Sequence, residues 1–487
     1  MLYAYLPLRR PLPGPKGDPL SSEISLLLDA FRPGKELDDP TLFAGRPVQV
    51  VQLAHALHVD GSCPVIYGDR GLGKSSLALQ LERIARGDTV LLDAQAETNT
   101  DRLPPDADFI DVELLRHAAD WVLNEEDAYL TFYVACTNAT PDTETLLRRV
   151  ANALMNPDIE RFSQSSEGLI ERKTSMRLSF KMFSTETSRT YRPTLEQSDE
   201  NSTIEDMVLR LARELTNKYQ RRVLIIIDEF DVVEDSSGLA AFLKVASSSD
   251  LKFVLVGIAD SVSGLLTDHR SLERTIVPVE VPKMSIDELQ QIIYRAGNRL
   301  RSNGIQIDFE PRARRSVAEL ADGSPWYAHL LGQSALTIAY QQDLTSVSVI
   351  HVAAATRSLN KNRFAQQFSD LYCRAVRDST SRERVLRTLA LFPERNIPTA
   401  LAYRVARRLG VSNPSSCVRN LCDPTYGAVV SRPLSTNRGF LRFNDSLFKI
   451  YARIAEPVYA GANEEVRAAF RAEVLGPPRR PSLPDDY

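Results

Sequence analysis

The stretch Gly68-Asp69-Arg70-Gly71-Leu72-Gly73-Lys74-Ser75 decides the fold of this chain. It follows the apolar run Val65-Ile66-Tyr67 and precedes a helical pattern in which Leu77, Leu81 and Ile84 share one face. A strand, a glycine-rich loop and a helix in this order are the context in which G-x-x-x-x-G-K-[ST] forms a phosphate-binding loop. Its backbone N–H groups and the helix N-terminus would then point at the phosphates.

Side chains in and near this loop have predicted roles. Lys74 is expected to reach the β- and γ-phosphates of ATP, and the Ser75 hydroxyl to bind Mg²⁺. Arg46 precedes the amphipathic helix that leads to the strand, and it is expected to act at the adenine or at a domain seam. The predicted nucleotide-binding residues are Arg46, Gly68, Asp69, Arg70, Gly71, Leu72, Gly73, Lys74, Ser75 and Ser76.

A second informative strand lies about 150 residues later. Val223-Leu224-Ile225-Ile226-Ile227 is an uninterrupted apolar run rich in β-branched residues, which is typical of a strand buried on both faces of a parallel sheet. It ends in Asp228-Glu229-Phe230-Asp231, and ligands of such sheets bind at the carboxyl ends of strands. Asp228 is therefore predicted to hold the Mg²⁺ hydration shell and Glu229 to polarise an attacking water.

Two further candidates follow along the chain. The buried strand Phe253 to Ile258 ends at Ala259-Asp260-Ser261, where Asp260 or Ser261 would lie near the γ-phosphate. Arg270 and Arg274 come next, before a last strand around Val277 to Val281. Either arginine could offset transition-state charge at the nucleotide of a neighbouring subunit, and Arg274 is preferred.

Composition bounds the remaining possibilities. With 487 residues, 43% of them hydrophobic and 25% charged, the chain is predicted to be a globular protein of two to four domains. Five scattered cysteines form no C-x-x-C pair, and no apolar run could cross a bilayer, so we expect a cytoplasmic protein without a membrane partner. From residue 351 onward, 22 Lys and Arg stand against 12 Asp and Glu, which permits a polyanion partner or solvated helix faces.

The order of these motifs resembles the nucleotide-binding core of the AAA+ and STAND ATPases, and the DEFD form is similar to origin-recognition ATPases. The resemblance implies that Glu229, Lys74, Arg274 and Asp260 are catalytic, that Ser75 and Asp228 bind the metal, and that the cofactors are ATP and Mg²⁺. It also continues into a helical lid. Gly323-Ser324-Pro325 resembles the G-x-P motif of STAND proteins, and His329 is the polar residue nearest to the place of a sensor arginine. The resemblance implies that Pro325 and His329 contact the nucleotide.

Further along, three helices and a two-stranded wing resemble a winged helix. Its arginines could meet DNA phosphates: Arg404, Arg407, Arg408, Arg419, Arg432, Arg438 and Arg442. STAND proteins use the same module to hold their off state, and Phe443-Asn444-Asp445 is loosely similar to their switch motif. The sequence leaves DNA contact and intramolecular regulation open.

The predicted fold is α/β, with a P-loop NTPase parallel sheet flanked by helices, an α-helical lid and a C-terminal winged helix. The predicted division is a proline-rich extension (1–40), a nucleotide-binding domain (41–283) with insertions near 89–125 and 156–203, the lid (284–358), the winged helix (359–458) and a tail (459–487). The insertion at 156–203 is either decoration or a partner surface.

Three functions compete. The first is a Mg²⁺-ATP-dependent switch with slow or partner-stimulated hydrolysis, which forms a homo-oligomer through its nucleotide sites and acts on an effector protein. Prokaryotic defence is the setting that the STAND resemblance implies. The second is a DNA-loading ATPase, and the third is a scaffold that holds nucleotide without hydrolysing it.

Overall fold

The structure, a computed structural model, describes residues 19–88, 90–92, 128–156, 203–248, 250–266, 274–362, 365–433, 439–458 and 462–475. The chain forms two compact units, residues 36–282 and residues 1–35 together with 283–487. The predicted insertions near 89–125 and 156–203 lie almost wholly outside the described residues. Among the described helices, none is both long enough and apolar enough to cross a membrane.

Within its described residues, the unit of residues 36–282 is built on five strands. Helix α1 (Pro19–Ala30) precedes it in the chain. The helices and strands of the unit of residues 36–282 are α2 (Pro47–His58), β1 (Cys63–Gly68), α3 (Lys74–Ala85), β2 (Leu130–Ala135), α4 (Thr143–Met155), α5 (Ile204–Tyr219), β3 (Val223–Asp228), α6 (Leu239–Ala246), β4 (Leu251–Ile258) and β5 (Ile276–Glu280). The strands are parallel and pair in the order β2-β3-β4-β1-β5.

Both faces of this sheet are buried. Residues Val223, Ile225 and Ile227 of β3 pack in a cluster with α4, α5 and α6. Leu224 and Ile226 point the other way, into a cluster with α2 and α3. Each of these fully buried side chains contributes about 1.5–3 kcal/mol relative to an exposed one. The prediction of a central strand buried on both faces is confirmed, and the unit is a three-layer α/β/α sandwich.

The other unit is mainly helical. Its elements after α1 are α7 (Ile286–Ser302), β6 (Asp308–Phe309), α8 (Pro311–Ala321), α9 (Pro325–Gln341), β7 (Ser346–Val347), α10 (Val349–Arg357), α11 (Gln366–Val376), α12 (Thr380–Leu391), β8 (Ile397–Pro398), α13 (Thr399–Arg408), α14 (Pro414–Leu421), β9 (Val430–Ser431), β10 (Phe440–Phe443), α15 (Ser446–Ile454) and α16 (Ala462–Phe470). Helices α7 to α10 fall within residues 284–358, which the sequence predicted as the lid, and α1 packs against α7 and α9.

The winged helix comprises α12, α13 and α14 with the antiparallel sheet β8-β10-β9. The sequence predicted the three helices and two of the strands. The third strand, β8, has only two residues, Ile397 and Pro398, which is too short to leave a periodic pattern. The predicted fold class is confirmed, with this additional strand. The exact domain boundaries stay predictions.

Candidate nucleotide site

The phosphate loop joins β1 to α3 through glycines that no other residue could replace without strain. Gly68 ends β1 with φ 149°, and a Cβ at this position would lie 2.6 Å from the Val281 carbonyl oxygen. Gly73 precedes α3 in the left-handed region, with φ 87°. The loop therefore turns directly into the helix, so that the first N–H groups of α3 lie beside it.

Lys74 is the first residue of α3 and is buried at this turn. Its ammonium donates a hydrogen bond to the Asp69 carbonyl oxygen at 2.8 Å. Burial lowers the pKa of Lys74 to about 8, although the carboxylates of Asp231 and Asp228 act in the opposite direction. The charges of two acids at and just beyond the end of β3, Asp228 and Asp231, therefore act on Lys74.

Arg46 is hydrogen-bonded to the backbone of the phosphate loop. Its backbone is left-handed, with φ 66°, immediately before α2. The side chain is buried, and Nη2 donates to the Leu72 carbonyl oxygen at 3.1 Å. The structure thus brings Arg46 to the loop that the sequence associated with it, where it fixes loop backbone. A role at the adenine stays a prediction.

The acids at the end of β3 occupy the predicted edge of the sheet. Asp228 is the buried last residue of β3, and its Oδ1 accepts a hydrogen bond from the Glu229 N–H at 2.7 Å. Its Oδ2 accepts one from the Tyr133 hydroxyl on β2. Burial raises the pKa of Tyr133, and the charge of Asp228 raises it further, so the phenol is the donor in this pair.

Glu229 follows in the left-handed region, with φ 55°. The side chain is exposed toward solvent. Partial burial of its carboxyl group raises the pKa of Glu229, and the charges of Asp228 and Asp231 raise it further. Glu36 contributes in the same direction, whereas Arg70 opposes it. A carboxylate with a raised pKa beside an anion-binding loop is suited to accept a proton from water.

Asp231 links the ends of two strands. Its Oδ1 accepts a hydrogen bond from the Ile258 N–H at the end of β4, at 2.8 Å. A Cβ on Gly257 would meet Asp231 N at 3.2 Å and Leu265 Cδ2 at 2.7 Å, so the close approach requires glycine. β4 lies between β3 and β1, and the exposed Asp260 follows its end. Asp260 is therefore at the same edge as the phosphate loop and Glu229.

The first residues of the unit of residues 36–282 are hydrogen-bonded to α3, the helix that follows the phosphate loop. Ser76 Oγ accepts a hydrogen bond from the Leu37 N–H at 3.0 Å. Gln80 Nε2 donates to the Leu37 carbonyl oxygen at 2.9 Å. The Ser76 hydroxyl thus holds the segment around Leu37, and its predicted contact with nucleotide stays a prediction. On the other side of the loop, Val281 N donates to the Tyr67 carbonyl oxygen at 2.8 Å.

Arg274 lies at the edge of the sheet where the strands begin, opposite the edge that carries the phosphate loop. It is exposed and directly precedes Thr275, whose carbonyl oxygen accepts from Cys63 N at the start of β1. Because the starts of parallel strands lie at the edge opposite their carboxyl ends, Arg274 does not reach the crevice of its own chain. Its predicted action on a neighbouring subunit stays a prediction. Arg270 lies outside the described residues.

The two lid residues assigned to the nucleotide belong to the other unit. Pro325 is the first residue of α9, behind the helix cap Ser324. His329 is buried, its ring contacts Phe31 edge-to-face, and neither ring nitrogen has a hydrogen-bond partner. Burial lowers the pKa of His329 to about 4, so the ring is neutral at pH 7. Contact of these residues with nucleotide stays a prediction.

Three residues near the crevice were not identified as site residues from the sequence. Asp231 lay within the acidic run that drew attention to Asp228, and this was a usable signal. Tyr133 and Glu36 gave none, because a tyrosine in a strand and a glutamate near an N-terminal segment are ordinary features. Only the three-dimensional structure places their side chains beside the acids of β3.

Comparison with known proteins supports part of this description. Residues 58–266 match the family described as an AAA domain, which is under half of the chain but includes the phosphate loop, Asp228 and Glu229. The predicted resemblance to AAA+ ATPases is confirmed for this part. No curated protein matches the chain.

Several solved structures are similar to the chain at low identity. ORC1 of Aeropyrum pernix in complex with DNA has a TM-score of 0.39 and 13% identity, covering 85% of this chain and 92% of that chain. ORC2 of the same organism, in ADPNP–ADP complexes, has a TM-score of 0.41 and 15% identity, with coverage of 88% and 92%. The RuvB Holliday junction branch migration motor of Thermotoga maritima has a TM-score of 0.36 and 16% identity, with coverage of 86% and 96%.

Proposed function

Because residues 58–266 are an AAA domain, we propose that this protein is a Mg²⁺-dependent ATPase that acts as a molecular switch. One observation carries the proposal: the buried Lys74 ammonium shares a crevice with the carboxylates of Asp228 and Asp231, although about 150 residues separate them. Its pKa of about 8 leaves it mostly protonated at neutral pH, where it would attract a polyphosphate.

The donor set suits a magnesium nucleotide. Ser75 offers a hydroxyl and Asp228 a carboxylate, and both are the hard oxygen ligands that Mg²⁺ accepts. Among the described residues, no group of three or more His, Cys, Asp and Glu side chains could hold a metal ion. Mg²⁺ usually binds one or two protein oxygens and completes its coordination shell with water and phosphate oxygens. Bound Mg²⁺ would neutralise charge that develops on the phosphate oxygens.

The residues of the crevice divide the remaining work. Lys74 and the N–H groups at the start of α3 would bind and orient the phosphates. Glu229 would hold the attacking water and accept its proton, which the raised pKa of its carboxyl group favours. Asp260 would orient the same water from the end of β4. Arg274 would supply a positive charge to a neighbouring subunit, so that hydrolysis depends on assembly.

The central test uses two buried lysines. Lys74→Ala should weaken binding of a fluorescent ATP analogue by about 100-fold, since a charge-assisted hydrogen bond contributes about 1.5–3 kcal/mol and a charged phosphate contact adds to it. Lys252→Ala is the matched control, because burial also lowers the pKa of Lys252 to about 8, but its ammonium donates to Ser62 Oγ at 3.1 Å. Equal ATP affinity of wild type and Lys74→Ala would falsify the site assignment.

Hydrolysis is tested separately from binding. Glu229→Gln should bind the ATP analogue with wild-type affinity and hydrolyse ATP at least about 100-fold more slowly in a single turnover. A protein that only stores nucleotide would show the same rate for both forms, and the scaffold function would then replace this proposal.

The switch itself is tested by molecular mass. Light scattering with a slowly hydrolysed ATP analogue should show a larger assembly than without nucleotide, and Arg274→Ala should keep ATP binding but lose turnover in that assembly. A constant mass under both conditions would remove the assembly part of the proposal. The cytoplasmic location is proposed from the cysteine pattern of the sequence, five scattered residues without a C-x-x-C pair. The defence setting and the effector protein rest on the STAND resemblance alone.

A second candidate function, DNA binding, is favoured by a cavity in the winged helix. The cavity has a volume of about 480 Å³ and lies between α14 and β9. Arg419 and Arg432 line it together with the hydroxyls of Ser415 and Ser431. Such a concave surface with two guanidinium groups suits phosphate oxygens.

The structure offers a matched control for this candidate. Arg408, which the sequence grouped with the DNA-facing arginines, donates to Glu473 Oε1 at 3.0 Å. The double variant Arg419→Ala/Arg432→Ala should lower the salt dependence of duplex binding by about two phosphate contacts, whereas Arg408→Ala should change it less. Absence of duplex binding at low salt would eliminate DNA as a partner.

A further inference from the structure

The carboxylate of Asp228 is held on both of its oxygens by the protein. Oδ1 accepts from the Glu229 N–H at 2.7 Å, and Oδ2 accepts from the Tyr133 hydroxyl. The first bond is local and comes from the next residue in the chain. The second crosses from β3 to β2, where Ala135 is the register partner of Asp228.

This second bond restricts the orientation of the carboxylate. Asp228 lies at the end of a strand, and a side chain in that position can rotate about two bonds. Tyr133 reaches it from a rigid neighbouring strand, with its ring half-buried beside the sheet. Each oxygen retains lone-pair capacity for a further partner, since an ionised carboxylate has about four acceptor sites. The bond can therefore orient Asp228 without blocking it.

We propose that Tyr133 is a positioning residue that fixes Asp228 for the magnesium nucleotide and so sets the Mg²⁺ affinity of the nucleotide complex. The inference rests on the proposed function. Tyr133 itself contributes no ligand; it acts by keeping the oxygens of Asp228 directed at the crevice that Lys74 also faces. A tyrosine hydroxyl on β2 thereby belongs to the site, although no sequence motif includes it.

The neighbouring Tyr129 provides a control for the alternative that the hydroxyl only stabilises the fold. Tyr129 is fully buried, directly precedes β2, and donates its own hydrogen bond to the Leu57 carbonyl oxygen at 2.8 Å. Removing either hydroxyl deletes one hydrogen bond from the same part of the sheet, a buried one for Tyr129 and a partly buried one for Tyr133. Only Tyr133→Phe deletes one made to a residue of the crevice.

The experiment titrates Mg²⁺ into wild type, Tyr133→Phe and Tyr129→Phe, each saturated with a slowly hydrolysed ATP analogue, and repeats the titration with Mn²⁺ followed by electron paramagnetic resonance. Tyr133→Phe should weaken the affinity for either ion by about tenfold, as expected for loss of a hydrogen bond to a charged group. Nucleotide affinity in EDTA should be unchanged. Tyr129→Phe should lower the melting temperature without changing ion affinity.

Unchanged or tighter ion binding by Tyr133→Phe would overturn the inference, and so would an equal loss in Tyr129→Phe. Those results would leave the proposed ATPase intact, because wild type would still bind nucleotide through Lys74. Failure of wild type to bind the analogue in EDTA and in Mg²⁺ alike would instead overturn both.

Discussion

Two clusters of buried charged side chains, one in the winged helix and one in the nucleotide crevice, differ in how many hydrogen bonds and counter-charges the protein provides for them. In the winged helix, Arg387 donates to the Tyr372 hydroxyl at 2.8 Å and to the Ala455 carbonyl oxygen at 2.7 Å. Glu383 accepts from the same hydroxyl at 2.7 Å and from the Val458 N–H at 2.8 Å. In the crevice, by contrast, the Lys74 ammonium donates to the Asp69 carbonyl oxygen. The carboxylates of Asp228 and Asp231 affect its pKa without forming a direct ion pair with it.

The difference separates a cluster that holds the fold together from one suited to receive a ligand. Burying a charge costs several kcal/mol unless hydrogen bonds and a counter-charge compensate. Arg387 and Glu383 have both, at 2% and 0% side-chain exposure. The crevice gathers several carboxylates around one buried lysine, an arrangement that phosphates and Mg²⁺ would complete. The comparison predicts opposite responses to removal of a charge.

The largest effect is expected in the winged helix. Arg387→Met leaves the Glu383 carboxylate buried without its counter-charge and should cost about 3–5 kcal/mol. Hydrogen exchange of the backbone amides of α12 should accelerate accordingly. Adding Glu383→Gln should restore part of the protection, because it removes the stranded charge. A loss of less than about 1 kcal/mol in the free energy of unfolding would show that Glu383 does not depend on Arg387 as its counter-charge.

Removing the Lys74 charge from the crevice should instead increase the free energy of unfolding. The pKa of Lys74 is about 8 in the fold and near 10.5 in the unfolded chain, so the folded state holds this proton less tightly. Below pH 8 both states are protonated and the full cost is present; the cost disappears as pH rises toward 10.5. Lys74→Met, measured without nucleotide at pH 7, should therefore be more stable than wild type by up to about 3 kcal/mol.

Thermal unfolding between pH 7 and pH 10 checks this expectation. The advantage of Lys74→Met should shrink as pH increases, while its ATP binding is lost at every pH. A variant less stable than wild type at pH 7 would mean that the carboxylates around Lys74 already compensate its burial.

The smallest effect is expected at Glu229. A raised pKa means that the folded state holds the carboxyl proton more tightly than the unfolded chain, so ionisation at neutral pH lowers stability. Glu229→Gln should raise the melting temperature slightly at pH 7, by less than about 1 kcal/mol because the side chain is exposed. At a pH well below the ordinary glutamate pKa, where the carboxyl group is protonated in both states, the two proteins should melt alike. An equal gain at both pH values would point to packing instead of charge.

Local patterns explain why so much of the nucleotide-binding unit could be predicted. The glycine-rich loop and the apolar strand before Asp228 each contain their own signal within about ten residues. The features that were missed depend on contacts between distant segments. The Tyr133 hydroxyl meets Asp228 across 95 positions of sequence, and Arg46 reaches Leu72 across 26. Strand β8 was missed because two residues cannot show a period.

The same reasoning explains the outcome for individual site residues. Ser76 follows Ser75 in the motif, so the sequence extended the site to it; its hydroxyl accepts the Leu37 N–H, and its contact with nucleotide stays a prediction. A motif states which residues are adjacent in the chain and not which backbone groups need a partner. Arg274 was expected to act on another subunit, and its place at the amino edge of the sheet agrees with the need for a second chain. That role is still a prediction.

The attachment of Leu37 to α3 has a mechanical consequence. The chain passes between the two units only at residues 35–36 and 282–283. Leu37, just inside the first crossing, is tethered to Ser76 and Gln80; Val281, just inside the second, is tethered to Tyr67. Both ends of the unit of residues 36–282 are therefore hydrogen-bonded to segments that adjoin the phosphate loop, and a displacement of those segments would move Leu37 and Val281 with them.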